Sequence, residues 1–308
     1  MRKEYRAFIE ELSQELRRQA GFSDSQIYFT KRAQSTAASG DRLFVECASY
    51  EDGKEVCGIY TEELFEDYQN GVPLEKIADN VIRELEKVKK AGFFEKTRDL
   101  LNYERVKDEL FIRLLNKDRH QDDLKRAVYR TVGDIALVLY MRVGEEDGRI
   151  TSMKIRREYV EAWGLDEEKV FQSALLNTYF MSPPRIYYWE NLIYDPNYQG
   201  ENFMDMTGKF EIKRDCVGNC LSTAKRTNGA VAAFLPGVAK RLAQLIGQDY
   251  YLVFTSVHEV MIHNASLVYP EDLEVILRDT IKAATPEEDY LTSRIYRYCR
   301  ATETFICV

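Results

Sequence analysis

The chain has 308 residues, 45% hydrophobic and 31% charged, with a formal net charge of −8. That length and composition fit an ordinary globular protein able to bury a sizeable core, in one large domain or two lobes. The acidic balance lacks the basic excess by which nucleic-acid binders grip phosphates, so nucleic acid is not an expected partner.

Residues 3–19 carry Phe8, Ile9, Leu12 and Leu16 on one helical stripe, with Gly21 as the stop. Strands are expected at residues 26–32, 43–49 and 57–60, the last two joined through a turn at Glu51-Asp52-Gly53-Lys54. Thr61 with Glu62 and Glu63 reads as a helix N-terminus, and Asn70-Gly71 as its close. Pro73 opens a further helix with an apolar face of Leu74, Ile77, Ala78, Val81, Ile82, Leu85 and Val88. Residues 1–92 thus read as a small α+β lobe.

Residues 93–308 read as a larger α+β lobe, with one continuous domain as the alternative. Residues 110–115 predict a strand leading into a charged turn, and residues 134–143 a buried one. Glycine and acid at 144–148 then turn the chain into a second strand over 149–155, a hairpin. Helices follow at 157–163 and 166–177, the latter capped by Asp166 and ended by Ser182-Pro183-Pro184. The aromatic stretch to about residue 208 has no clear period and reads as a loop packed across the core, with an ordered lid or ligand cage as the alternative. Residues 220–235 and 250–263 look strand-like, with Asn228-Gly229 as a hairpin signal. Pro236-Gly237 introduces a helix ended by Gly247, and a helix over 270–284 and a strand over 295–299 complete the pattern. Without regular β-α-β alternation, the expected fold is α+β, with mixed or antiparallel sheets and amphipathic helices packed on them.

The N-terminus is rich in charge and has no apolar stretch of a signal sequence, and no apolar run nears the roughly 18 residues of a membrane span. A cytoplasmic protein with no membrane partner is therefore expected. Six cysteines then read as reduced thiols and core fillers. Cys216 and Cys220 have a loose metal-ligand spacing, and Cys47 and Cys57 face each other across the expected hairpin, but a second close pair is missing.

Two of the three histidines lie in His258-Glu259-Val260-Met261-Ile262-His263. A zinc-protease helix needs histidines four residues apart, which places them on one side with glutamate as general base. Here they are five apart. On a helix they diverge by about 140°, and on a continuous strand they face opposite ways. No metal site and no cofactor are expected. Ser256 and His258, two apart, would share a strand face and bring hydroxyl to imidazole. No Gly-x-Ser-x-Gly turn and no oxyanion loop accompany them, and both phosphate-binding glycine motifs are absent.

Several short motifs mark a likeness: Ile59-Tyr60-Thr61-Glu62-Glu63-Leu64-Phe65, Leu114-Leu115-Asn116, Gly133-Asp134-Ile135-Ala136-Leu137-Val138, Ala174-Leu175-Leu176-Asn177-Thr178, Leu235-Pro236-Gly237-Val238 and Ser256-Val257-His258-Glu259-Val260. In these the chain resembles, from about residue 55 onward, an uncharacterised bacterial family known only as a domain of unknown function and common among gut clostridia. The resemblance carries no activity. It implies that His258 and Glu259 belong to the family pattern and that His263 does not. The expected function is a non-catalytic binding or accessory role toward a protein or small molecule. The rival is a hydrolase-like enzyme using His258 with Ser256, or with Glu259 and a carboxylate such as Asp134.

Overall fold

The computed structural model describes residues 3–30, 41–50, 53–90, 98–146, 149–207, 210–213 and 219–308. Cys216 and the turn residues Glu51 and Asp52 lie outside them. The chain divides into two compact units, Met1–Asp99 with Val143–Thr151, and Leu100–Arg142 with Ser152–Val308.

The first unit runs α1 (Lys3–Ala20), β1 (Ile27–Thr30), β2 (Arg42–Tyr50), β3 (Gly53–Tyr60), α2 (Glu62–Gln69) and α3 (Leu74–Lys90). Tyr5, Phe8, Ile9, Leu12 and Leu16 are all buried, so the whole apolar stripe of α1 is spent on packing. They meet Ile77, Ala78 and Val81 of α3 and the inward residues Ile27, Leu43 and Val45 of the antiparallel sheet in one cluster. Each fully buried leucine of that cluster contributes roughly 1.5–3 kcal/mol. Across the β2–β3 hairpin Cys57 pairs with Val45, while Cys47 falls in the irregularity between Glu46 and Ala48. The two thiols expected opposite one another are therefore out of register.

Thr61 begins α2, yet its side chain does not cap the helix. Its hydroxyl donates to the Asp41 carbonyl at 3.1 Å, which leaves its oxygen to accept from the Tyr5 hydroxyl at 2.5 Å. Capping gave way to a buried tie between α1 and the end of β3.

The second unit contains α4 (Tyr103–Val106), β4 (Leu110–Asn116), α5 (Gln121–Leu124), β5 (Tyr129–Val132), most of β6 (Ile135–Glu146), the end of β7 (Arg149–Lys154), α6 (Arg157–Trp163) and α7 (Glu167–Met181), the remainder of β6 and β7 belonging to the first unit. β8 (Pro184–Tyr188), α8 (Trp189–Tyr194), β9 (Asn219–Thr223) and α9 (Val238–Ile246) follow, then β10 (Tyr250–Phe254), β11 (Val260–Asn264), α10 (Pro270–Ala284), β12 (Ile295–Cys299) and β13 (Thr304–Cys307). One sheet has the order β4-β6-β5 with β7 against β6, and the other β13-β12-β10-β11-β9-β8. Antiparallel sheets with helices packed on them make an α+β fold.

Asp166 caps α7 as expected, accepting from the Glu168 amide at 2.9 Å. Farther along α7, the Thr178 hydroxyl takes the Ile112 amide at 2.9 Å and the Asn177 amide donates to the carbonyls of Lys107 and Leu110. Side chains thus hold α7 against β4. Every residue of β10 is buried. Tyr251 and Val253 face Leu273 and Leu277 of α10, while Phe254 on the other face stacks on Phe234 with centroids 5.8 Å apart. This strand has cover on both faces, which is why its sequence is apolar without alternation.

Three expectations are corrected, and one strand is added. Residues 250–263 are not one strand, because the backbone of residues 255–258 bonds to other elements and the chain reverses into β11. Asn228 does adopt a left-handed conformation, but Gly229–Phe234 is a 3-10 helix and no hairpin forms there. The aromatic stretch after Pro183 contributes β8 and α8, since Pro184–Tyr188 pairs with β9. The edge strand β13, held on β12, was not expected. Among the described residues no helix is long and apolar enough to cross a membrane.

Replacing Thr61 with valine removes the bond between the Tyr5 and Thr61 hydroxyls at nearly unchanged volume, while the Asp41 carbonyl keeps the backbone amide of residue 61. Urea unfolding should show a loss of about 0.5–1.5 kcal/mol, and adding Tyr5→Phe should recover part of it. An unchanged midpoint for the single variant would contradict the tie.

Candidate functional site

Thr255, Ser256, Val257, His258 and Glu259 form the loop between β10 and β11, closed by the pair Phe254 and Val260. No ladder bonds are available to such a loop, so neighbouring elements satisfy its polar groups. The Val257 amide donates to the Asp289 carbonyl at 2.9 Å, and the Val257 carbonyl accepts from Ala230 at 3.1 Å. The Thr285 hydroxyl donates to the Thr255 carbonyl at 2.8 Å, and the Ser222 hydroxyl to the His258 carbonyl at 2.7 Å.

The imidazole of His258 is held at both nitrogens. Nδ1 accepts from the Asn228 backbone amide at 2.9 Å, and Nε2 lies 3.0 Å from Oδ1 of Asp289. A backbone amide can only donate, so Nδ1 carries the lone pair and Nε2 the proton, which goes to Asp289. Gly229 is needed beside this contact: a Cβ there would sit on the Ser222 hydroxyl and 2.6 Å from the His258 carbonyl oxygen. The Ser256 hydroxyl accepts from the His258 amide at 3.0 Å. It is a turn-forming bond to the backbone, not a contact with the imidazole.

Ser256, His258 and Glu259 stand at one end of a cleft of about 480 Å³. Val253, Met261 and His263 line its sheet side, and Leu273, Ile276, Leu277 and Thr280 of α10 line the opposite wall. Trp189, Asp289 and residues 284–286 also line it, and no lysine or arginine does. Both histidines reach this one cleft because the chain turns between Ser256 and Val260; the rule for a continuous strand does not apply. Among the described residues no group of three or more histidine, cysteine or acidic side chains is placed to hold a metal ion.

Glu259 accepts from the Thr255 hydroxyl at 3.1 Å and from the Cys220 thiol at 3.3 Å. Burial, with the Glu259 carboxylate beside it, pushes the Cys220 thiol well above its usual range. Cys220 therefore stays protonated and acts as a donor, not a nucleophile. Burial lowers His263 below the ordinary imidazole value, which keeps its ring neutral.

Asp134 does not line the cleft. Its buried carboxylate accepts from the Thr292 hydroxyl at 2.9 Å, the Tyr296 hydroxyl at 2.5 Å and the Asn116 amide at 3.3 Å, with the Arg294 guanidinium 3.8 Å away. Asn116 also donates to the Leu291 carbonyl at 2.8 Å. Burial and the carboxylate together raise the Tyr296 phenol, so it remains a donor. Gly133, at φ 58°, lets Tyr296 approach; a Cβ there would stand 2.5 Å from its hydroxyl. Asp134 thus fixes residues 291–296, next in the chain to Asp289. Asp289 escaped sequence reading because it is the last of three consecutive acidic residues after Pro286, in a polar turn that carries no periodic signal.

Asp134→Ala removes the acceptor shared by the Thr292 and Tyr296 hydroxyls and the Asn116 amide, leaving Tyr296 the Val132 carbonyl and Asn116 the Leu291 carbonyl, and should cost about 2–3 kcal/mol in denaturant unfolding. A loss under about 1 kcal/mol would remove Asp134 as an anchor. His263 sets a pH trend. Its folded value is depressed, so the unfolded chain binds the proton first, and stability is full above the ordinary histidine value of 6.5 and lost as pH falls through the lower folded value. Unfolding free energies measured from pH 7.5 down to about 5 should fall less steeply in His263→Gln; equal slopes would contradict the burial effect.

No curated protein and no solved structure matches this chain. A family model does match, over residues 5–300, so the likeness seen from residue 55 reaches across the N-terminal segment as well. It is described as a family of unknown function (DUF5688), and the chain belongs to that family.

Proposed function

We propose that the protein is a non-catalytic, cytoplasmic binding protein that holds a small molecule in the cleft between the β10–β11 hairpin and α10. The observation that carries this reading is the commitment of both His258 nitrogens. Nδ1, the nitrogen with the lone pair, is occupied by the Asn228 amide, and Nε2–H is directed to Asp289. No base then stands ready for the Ser256 hydroxyl, which is itself engaged by a backbone amide. A hydrolase would require the imidazole to leave the amide that holds it.

The cleft supports a binding role. Its volume of about 480 Å³ falls within the roughly 300–1,000 Å³ of small-molecule sites, which are largely apolar with a few placed polar groups. Cys220, Cys299 and Cys307 stand as thiols, which supports a reducing compartment. The acidic net charge speaks against a nucleic-acid partner.

The test compares wild type, Ser256→Ala and His258→Gln on a panel of ester, amide and phosphoester substrates, alongside native mass spectrometry of gently purified protein. The expected outcome is background turnover in all three and a bound small molecule released on unfolding. Turnover by the wild type that disappears in both variants would establish the hydrolase instead.

A further inference from the structure

The charges facing the cleft identify the class of ligand, given the binding role proposed above. Two carboxylates, Glu259 and Asp289, line it together with no lysine or arginine. Each is held only by neutral donors. Glu259 accepts from the Thr255 hydroxyl and the Cys220 thiol, one on each oxygen. Asp289 accepts from Nε2 of an imidazole that is neutral because Nδ1 takes the Asn228 amide. Among the described residues no lysine or arginine forms an ion pair with either group.

Such an arrangement orients the carboxylates without neutralising them. A carboxylate offers about four acceptor sites, so the bonds already present leave sites open for a ligand. An acidic end repels a carboxylate or phosphate head and attracts a cation, and a primary ammonium brings three donors on a compact charge. Away from these groups the lining is mostly apolar, with Thr280 and the neutral His263 among the polar exceptions: Val253, Met261, Leu273, Ile276 and Leu277, with Trp189, offer cover for a hydrocarbon body. We propose that the cleft binds a primary amine with an apolar body, its ammonium at Glu259 and Asp289 and its hydrocarbon part along α10.

Calorimetric titration with n-octylamine, n-octanol and octanoate at pH 7 and low salt tests the assignment, since the three probes differ in the head group. The amine should bind saturably and at least about tenfold more tightly than the alcohol, as expected for a charge-assisted contact, with octanoate weakest. Glu259→Gln should remove most of the amine's advantage while leaving octanol binding unchanged; measured together with its melting curve, this separates loss of charge from loss of fold. Octanol or octanoate binding as tightly as the amine would overturn the amine assignment and leave the cleft as a ligand site. No saturable binding of any of the three would overturn both.

Discussion

The fold around the cleft depends on a side chain solving a backbone problem. A five-residue hairpin loop half-buried among other elements cannot satisfy its own amides and carbonyls. Here the imidazole of His258 is the centre of the solution, because it is the side chain that accepts from one segment and donates to another at a fixed angle. Through it the Asn228 turn, the β10–β11 loop and the Asp289 segment share one geometry. Ser222, Thr285 and the Asp289 carbonyl reinforce the same loop. A group with the look of catalytic machinery acts as a fastener.

The same logic recurs away from the cleft. Thr61 ties α1 to β3, Thr178 and Asn177 tie α7 to β4, and Asp134 with Asn116 ties β4 and the start of β6 to the segment before β12. Several of these residues sit in the short motifs that marked the chain as similar to its family. In physical terms those motifs are polar tie points between elements distant in sequence, where a missing partner leaves a buried group unpaired. Asp134 acts on the cleft at one remove: it holds residues 291–296, and Asp289 sits just before them.

Regular elements were legible wherever one periodic signal governed them. The stripe of α1, the Pro270 start of α10, the β6–β7 hairpin and the Asp166 cap follow from local chemistry alone. Legibility failed where tertiary partners overruled a local preference. Residues 255–259 carry strand-like chemistry but bond sideways, which broke the expected strand. Asn228 signalled a positive φ correctly, yet Gly229 is required by the close approach of Ser222 and His258, a contact made by residues remote in sequence. Part of the candidate site was legible in the same way: Ser256, His258 and Glu259 share the cleft. Asp289, Trp189 and the α10 wall came to it from elements whose own sequences announce only a turn or an amphipathic helix.

β10 is paired on both edges, to β11 and β12, and covered on both faces. Its amides can exchange hydrogen with water only when the surrounding unit opens as a whole, which places this strand at the slow end of the protein's range of motion. The loop that begins at Thr255 grows directly out of it. One end of the cleft is therefore mounted on the part of the structure that opens least, while the opposing wall, α10, presents Val275 and Ile276 to solvent. For the binding role proposed above, the helix is the wall left to move.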